Sequence, residues 1–107
     1  MKIMNWNIEW MNRWFSGNDN PVWGSRSLTA AEARICATKA AAVITNIGPD
    51  LLCIQEGPSA KEEMDLFLAE FLSDANGPLF DLIIGADGGA QKLYVLRRKT
   101  GAFVEMD

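Results

Sequence analysis

Two apolar runs in this sequence end on polar side chains of the kind that bind hard metal ions. The chain opens MKIMNWNIEW, where Asn7 and Glu9 interrupt one run, and LLCIQEGPS places Glu56 at the end of another. Magnesium prefers oxygen ligands, usually one or two carboxylates together with waters and a substrate phosphate. If both runs are neighbouring strands, Asn7 and Glu56 lie at one sheet edge, where α/β proteins bind ligands. The alternative for Glu56 is a surface charge near the start of a helix.

Hydrophobic periodicity predicts the elements that must position these residues, in the order β-α-β-α-β-β-β. The strands are predicted over residues 2–8, 50–55, 80–84, 92–98 and 103–106. Two capping boxes, Thr29 with Glu32 and Ser59 with Glu62, indicate where the two helices start. The first helix should end near Asn46, because Gly48-Pro49 follows.

The helices differ in the clarity of their apolar faces. The second helix has a core-facing stripe at helical spacing, made of Met64, Phe67, Leu68, Phe71 and Leu72. Its acidic residues are predicted to form the solvated face: Glu62, Glu63, Asp65 and Glu70. The Ala-rich first helix has scattered apolar positions: Cys36, Ala40, Val43, Ile44 and Ile47. Gly77-Pro78 is predicted to interrupt the regular secondary structure between the second helix and the third strand.

Composition limits the chemistry that these residues can perform. The 107 residues are 49% hydrophobic and 22% charged, which suits one small domain or part of a larger one over residues 1–107. No run reaches the ~18 apolar residues of a membrane span. Because Asn5, Asn7 and Glu9 interrupt the first run, no signal peptide is predicted and a cytoplasmic location is expected. Cys36 and Cys53 are expected to be reduced and buried.

The chain contains no histidine. A mechanism with a histidine base therefore cannot be completed by these residues, and two cysteines alone cannot form an ordinary zinc site. The net charge of −4 argues against binding nucleic acid through bulk electrostatics, but not against local binding of a phosphate through a metal.

The paired motifs resemble those of the endonuclease/exonuclease/phosphatase superfamily. Trp6-Asn7-Ile8 matches the first family strand, and the stretch from Pro49 to Glu56 matches its Pro-Asp-apolar-apolar-x-apolar-Gln-Glu element. The stretch AQKLYVLRRKTGAFVEMD resembles the following hairpin. The resemblance covers most of the chain.

The resemblance implies a four-layer α/β/β/α sandwich and Mg2+- or Mn2+-dependent hydrolysis of phosphate esters, with nucleic acids among the substrates. It implies that Glu56 is a metal ligand and that Asn7 binds the same ion or supports Glu56. Gln55 is expected to make a structural hydrogen bond, and Asp50 to anchor the strand start. Arg97 and Trp10 are weak candidates for substrate contact.

A family member needs further elements: Asp-x-Asn, a histidine-containing element and a terminal Ser-Asp-His. These elements belong to the second half of the family's domain and are expected to be absent here, since the chain has no histidine. The register places Ala90 where some members carry an acidic residue. The expectation is therefore the N-terminal half of such an enzyme, inactive alone. It would need a C-terminal half or self-association to cover an open sheet face. No membrane partner is expected. The alternatives are a non-catalytic α/β domain that acts by association with another chain, and an unrelated α/β domain.

Overall fold

A four-stranded mixed sheet and two helices confirm the predicted α/β class. The computed structural model describes residues 1–8, 11–17, 21–86 and 92–99. The elements, in chain order, are β1 (Ile3–Asn7), one turn of 3-10 helix (Met11–Trp14), α1 (Ala30–Ile47), β2 (Leu51–Gly57), α2 (Lys61–Phe71), β3 (Ser73–Asp74), β4 (Gly77–Pro78), β5 (Phe80–Ala86) and β6 (Lys92–Arg98). The strand predicted over 103–106 lies outside the described residues.

The strand order in the sheet is β1-β2-β6-β5. β1 pairs with β2 in parallel, and β6 pairs antiparallel with both β2 and β5. The start of the parallel pair is fixed by Asp50, whose Oδ2 accepts a hydrogen bond of 2.7 Å from the Lys2 amide. The Asp50 amide in turn donates to the Lys2 carbonyl at 2.8 Å. These bonds agree with the predicted anchoring role of Asp50.

The two faces of the sheet differ in burial. Leu52, Ile54, Tyr94, Leu96 and Phe80 belong to one buried core with residues of both helices. The opposite face carries side chains that stay largely exposed, with relative exposures of 61% for Ile3, 47% for Ile83 and 43% for Leu93. Both helices therefore cover the same face, and in the described part of the chain the other face is open.

α1 begins and ends close to the predicted positions. Thr29 Oγ1 accepts the Glu32 amide and Glu32 Oε1 accepts the Thr29 amide, and these bonds lower the pKa of the Glu32 carboxyl. Gly48 ends the helix in the left-handed conformation, with φ 63°. The buried face is made mostly of alanines, which permit close packing: Ala33, Ala37, Ala40, Ala41 and Ile44. Val43 and Ile47, predicted as apolar positions of this helix, are 43% and 37% exposed.

α2 confirms the predicted stripe but corrects its N-terminus. Met64, Phe67, Leu68 and Leu72 are buried, and Phe71 is half-buried. The N-cap is Ala60 rather than Ser59, because Glu63 and not Glu62 folds back to the cap amide. Glu63 was predicted on the solvated face, and this prediction is wrong: the side chain is fully buried. The Gly17 amide, from the connection after β1, provides it with a hydrogen bond.

Smaller corrections concern the second half of the chain. Gly77-Pro78 does not simply interrupt the secondary structure, since it pairs with Ser73-Asp74 as a short hairpin. β5 continues to Ala86, two residues beyond the predicted end, whereas β6 has the predicted bounds. Cys36 and Cys53 are free thiols, as predicted, but only partly buried. Among the described residues, no helix has the length and apolar character needed to cross a membrane.

Candidate functional site

The parallel pairing of β1 with β2 brings the two predicted metal ligands to neighbouring strand ends. Asn7 is the register partner of Gln55, the residue before Glu56. The Ile8 amide donates to the Gln55 carbonyl at 3.1 Å, which extends the pairing past the end of β1. Asn7 is exposed and Glu56 is partly buried. The sequence-based prediction that these two residues lie at one sheet edge is therefore consistent with the sheet register.

A bulge in β2 gives Glu56 an unusual backbone conformation. Between Ile54 and Gly57 the pairing with β6 shifts, because the step from Tyr94 to Lys92 on β6 is one residue shorter. Glu56 lies within the bulge at φ 57°, and among the described residues it is the one non-glycine residue with positive φ. The left-handed conformation costs a residue with a side chain about 1–2 kcal/mol. Such bulge positions are often glycine, so a glutamate here points to a use for its side chain.

Beside the two predicted ligands, a hydrogen bond joins the side-chain amides of two residues on neighbouring strands. Gln55 Nε2 donates to Asn5 Oδ1 at 3.0 Å, which links β2 to β1 on the open face of the sheet. This bond agrees with the structural role predicted for Gln55. Asn5 lies two residues before Asn7, and both are on the exposed side of β1. The bond thus stiffens the strand pair immediately before the site.

Tyr94 is a contact of the site that the sequence analysis did not identify. Its hydroxyl donates to the Pro58 carbonyl at 2.7 Å, and its side chain is buried. Its ring lies so close to Gly57 that a Cβ added there would be 2.5 Å from Cδ2 of Tyr94. The dipeptide Gly57-Pro58 after Glu56 was the available signal, since a glycine in a strand often marks a bulge or a close approach.

Arg97 does not join this site. Its register partner on β2 is Leu51, at the opposite end of the strand from Gly57. With about 3.3 Å per residue, six residues separate the two ends by about 20 Å. Arg98 serves the fold instead: its Nε donates to the Pro49 carbonyl at 2.9 Å, and its guanidinium lies 5.0 Å from the centre of the Phe80 ring.

The described tryptophans near the connection after β1 pack against other aromatic rings. Trp14 is buried and makes an edge contact with Phe67, with ring centroids 5.7 Å apart, so it packs in the core. Trp23 packs against Phe71 and donates through Nε1 to Glu70 at 3.1 Å. Trp10 lies outside the described residues, and its role in substrate contact stays a prediction.

A groove of about 380 Å³ lies away from Asn7 and Glu56, between α2 and β5. Its charges are matched within the groove, because Lys61 lies 3.2 Å from Asp65 and Lys99 lies 3.5 Å from Asp81. Its floor includes Leu68. With each lysine beside its own aspartate, the groove has no surplus charge to select an ionic ligand.

The donor set at the strand ends is small. Within the described ranges, no three or more Asp, Glu, His or Cys side chains come together as a metal-binding group. Glu56 and Asn7 offer one carboxylate and one carboxamide. This set fits a magnesium ion that keeps most of its waters and takes its remaining ligands from a substrate.

Comparison with known proteins brings no match: no family model, no curated protein and no solved structure matches this chain.

Proposed function

We propose that this chain is the metal-binding half of a Mg2+- or Mn2+-dependent phosphodiesterase, nuclease or phosphatase. The observation that supports it best is the position of Glu56. A carboxylate occupies a left-handed bulge residue at the end of β2, beside the strand end that carries Asn7. The motifs around these two residues resemble those of the endonuclease/exonuclease/phosphatase superfamily, and the proposal includes its four-layer sandwich as the complete fold.

Glu56 and Asn7 are the residues that would hold the ion. Glu56 supplies the single negative charge, and Asn7 supplies a neutral oxygen, so the site does not become too anionic to accept a phosphate. A bound divalent ion polarises a phosphoryl oxygen and offsets the charge that develops during hydrolysis. The Gln55–Asn5 bond keeps the two strand ends in register while the phosphate binds.

The complete reaction needs groups that these 107 residues do not contain. The chain has no histidine. Its one Asp-x-Asn triplet, Asp74-Ala75-Asn76, lies at the turn of the short β3–β4 hairpin, where Asp74 Oδ1 accepts a hydrogen bond of 2.8 Å from the Asn76 amide. We infer that it binds the ion without turning over a substrate. Incubation with bis(4-nitrophenyl) phosphate and Mn2+ tests this inference, and hydrolysis above the protein-free rate would refute it.

Titration with Mn2+, followed by electron paramagnetic resonance of the free ion, tests the metal site. The wild-type chain should bind one ion, and Glu56→Gln should weaken binding at least about tenfold, because ligand and supporting positions typically contribute 10–100-fold. Asp81→Asn is the matched control: it removes the same charge from the same sheet, but Asp81 lies at the far end, where Arg97 is its register partner and Lys99 its ion-pair partner. Equal binding by wild type and Glu56→Gln would contradict the assignment.

The open sheet face favours a second candidate, a non-catalytic domain that acts by association with another chain. Ile3, Ile83 and Leu93 form its exposed apolar part. Covering large apolar side chains contributes about 1.5–3 kcal/mol each, so this face should bind either a second half of the sandwich or another copy. Light scattering over a range of concentrations should show association, and a monomer at every concentration would count against self-association.

A further inference from the structure

We propose that Tyr94 is a positioning residue that holds the Glu56 bulge in its left-handed conformation. The inference rests on the proposed function in one respect, namely that Glu56 is a metal ligand. The mechanical part, in which Tyr94 holds the turn, stands on contacts alone.

The contacts of Tyr94 enclose Glu56 from both sides along the chain. Before the bulge, Tyr94 is the register partner of Ile54. After it, the Tyr94 ring lies against Gly57 and the hydroxyl donates to Pro58 at 2.7 Å. Tyr94 on β6 thus pairs with β2 before the strained residue, and its buried side chain contacts the chain after it.

Burial makes the hydroxyl bond effective. Gly57 and Pro58 are buried, and so is Tyr94. If the turn relaxed, the Pro58 carbonyl would lose a partner where water has poor access, and an unpaired buried acceptor is unfavourable. The hydrogen bond therefore opposes the relaxation that would return Glu56 to an ordinary strand conformation.

Gly57 is required for this arrangement by space rather than by its φ angle. An added Cβ would lie 2.5 Å from Cδ2 and 2.7 Å from Cε2 of the Tyr94 ring, which is closer than real Cβ atoms approach. The sequence Glu56-Gly57-Pro58 thus combines the ligand, the space for the ring and the carbonyl that the ring hydroxyl binds.

Tyr94→Phe tests the proposal because it removes only the hydroxyl and leaves the ring against Gly57. We expect Mn2+ affinity to fall about tenfold, in the range seen when the supporting partner of a metal ligand is removed. The three-bond amide–Hα coupling of Glu56, measured by nuclear magnetic resonance, should change, and the Gly57 amide should exchange faster. Unchanged coupling and exchange would overturn the proposal, and so would unchanged affinity in a chain that binds Mn2+.

Ser73→Ala is the matched control. It also removes a hydroxyl that donates to a backbone carbonyl, here Leu68 at 2.7 Å, but at the far end of α2. The 11 residues of α2 span about 16 Å. This variant should leave Mn2+ affinity and the Glu56 coupling unchanged. If it shifts them as much as Tyr94→Phe, the effect is general destabilisation and the proposal fails.

A double-mutant comparison separates positioning from ordinary packing. In the wild type, loss of the Tyr94 hydroxyl lets Glu56 relax and recover part of its strain energy, whereas in a Glu56→Gly background the left-handed conformation carries no side-chain penalty to recover. Tyr94→Phe should therefore lower the melting temperature more in that background than in the wild-type chain. Equal decreases in both backgrounds would assign Tyr94 to packing alone.

Gly57→Ala disturbs the same contact from the backbone side and should weaken Mn2+ binding in the same direction. If the wild-type chain binds no Mn2+, the proposed function fails. The Glu56 coupling and the double-mutant comparison then decide by themselves whether Tyr94 holds the turn.

Discussion

The buried carboxylate of Glu63 accepts a hydrogen bond of 2.8 Å from the Gly17 amide, 46 residues earlier in the chain. Its other oxygen accepts the Ala60 amide at 3.3 Å. Glu63 thereby joins the connection after β1 to the first turn of α2. Burial raises the pKa of this carboxyl above its ordinary value of 4.5, although the two amides act in the opposite direction.

Glu63→Ala should lower the free energy of unfolding by about 2 kcal/mol, because it removes both bonds and leaves a cavity. Urea denaturation followed by circular dichroism measures the change. Glu62→Ala is the control: Glu62 is exposed in the same helical turn, and its replacement should cost under about 0.5–1 kcal/mol. Equal effects of the two variants would contradict the role of Glu63 in joining the connection after β1 to α2.

Glu63 should also give the protein a particular pH dependence. Because the folded state favours the neutral acid, its contribution to stability is fully present below pH 4.5 and is lost as the pH rises through the raised pKa. The stability of the wild type relative to Glu63→Gln should therefore fall as the pH increases from 4 to 8. Urea denaturation at each pH gives this difference, and a rise in it would reverse the expected sign.

Glu56→Gly should be about 1 kcal/mol more stable than Glu56→Ala, because alanine keeps the cost of the left-handed conformation and glycine does not. Glycine normally weakens a strand, so this order is diagnostic of the bulge. Neither variant should bind Mn2+. Thermal unfolding of the two variants measures this difference in stability. Both variants lack the Glu56 carboxylate, so its loss does not affect the comparison. A more stable alanine variant would show that residue 56 does not adopt this conformation in solution.

Self-association through the open sheet face should depend on its exposed apolar residues. Ile83→Lys and Leu93→Lys should each shift association to higher protein concentration, since a charge in a covered face is costly. Sedimentation velocity measures the shift. Ile35→Lys is the control, because Ile35 is 56% exposed but lies on α1, outside the sheet. A control that reduces association as strongly would place the contact elsewhere.

Local signals in the sequence account for most of the fold. The Thr29–Glu32 capping box, the left-handed Gly48 and the stripe from Met64 to Leu72 depend on neighbours within a few residues, so spacing alone predicts them. The burial of Glu63 depends on an amide 46 residues away, which no local pattern contains. For the same reason, the sequence placed Arg97 among the site candidates, whereas the antiparallel register puts it at the far end of β2.

The candidate site was predictable in part. The position of Asn7 and Glu56 at strand ends follows from two apolar runs and a parallel pairing across a helix. The bulge does not: Gly57 is its one local signal, and the apolar run Leu51 to Ile54 has no alternation in which an extra residue would show. Tyr94 contacts the bulge because β6 pairs with β2 in this register, and the register is known only from the assembled sheet.

The topology of the sheet also sets an order of assembly. β5 and β6 follow each other in the chain and pair with each other. The pairing of β1 with β2 brings together residues much farther apart in the sequence, such as Lys2 and Asp50, which are separated by 48 positions. Closing the longer loop is less favourable and slower, so we expect β1 to join the sheet last. Asn7 then comes next to Glu56 in the final step of folding. A divalent ion bound by both residues would therefore stabilise the finished sheet.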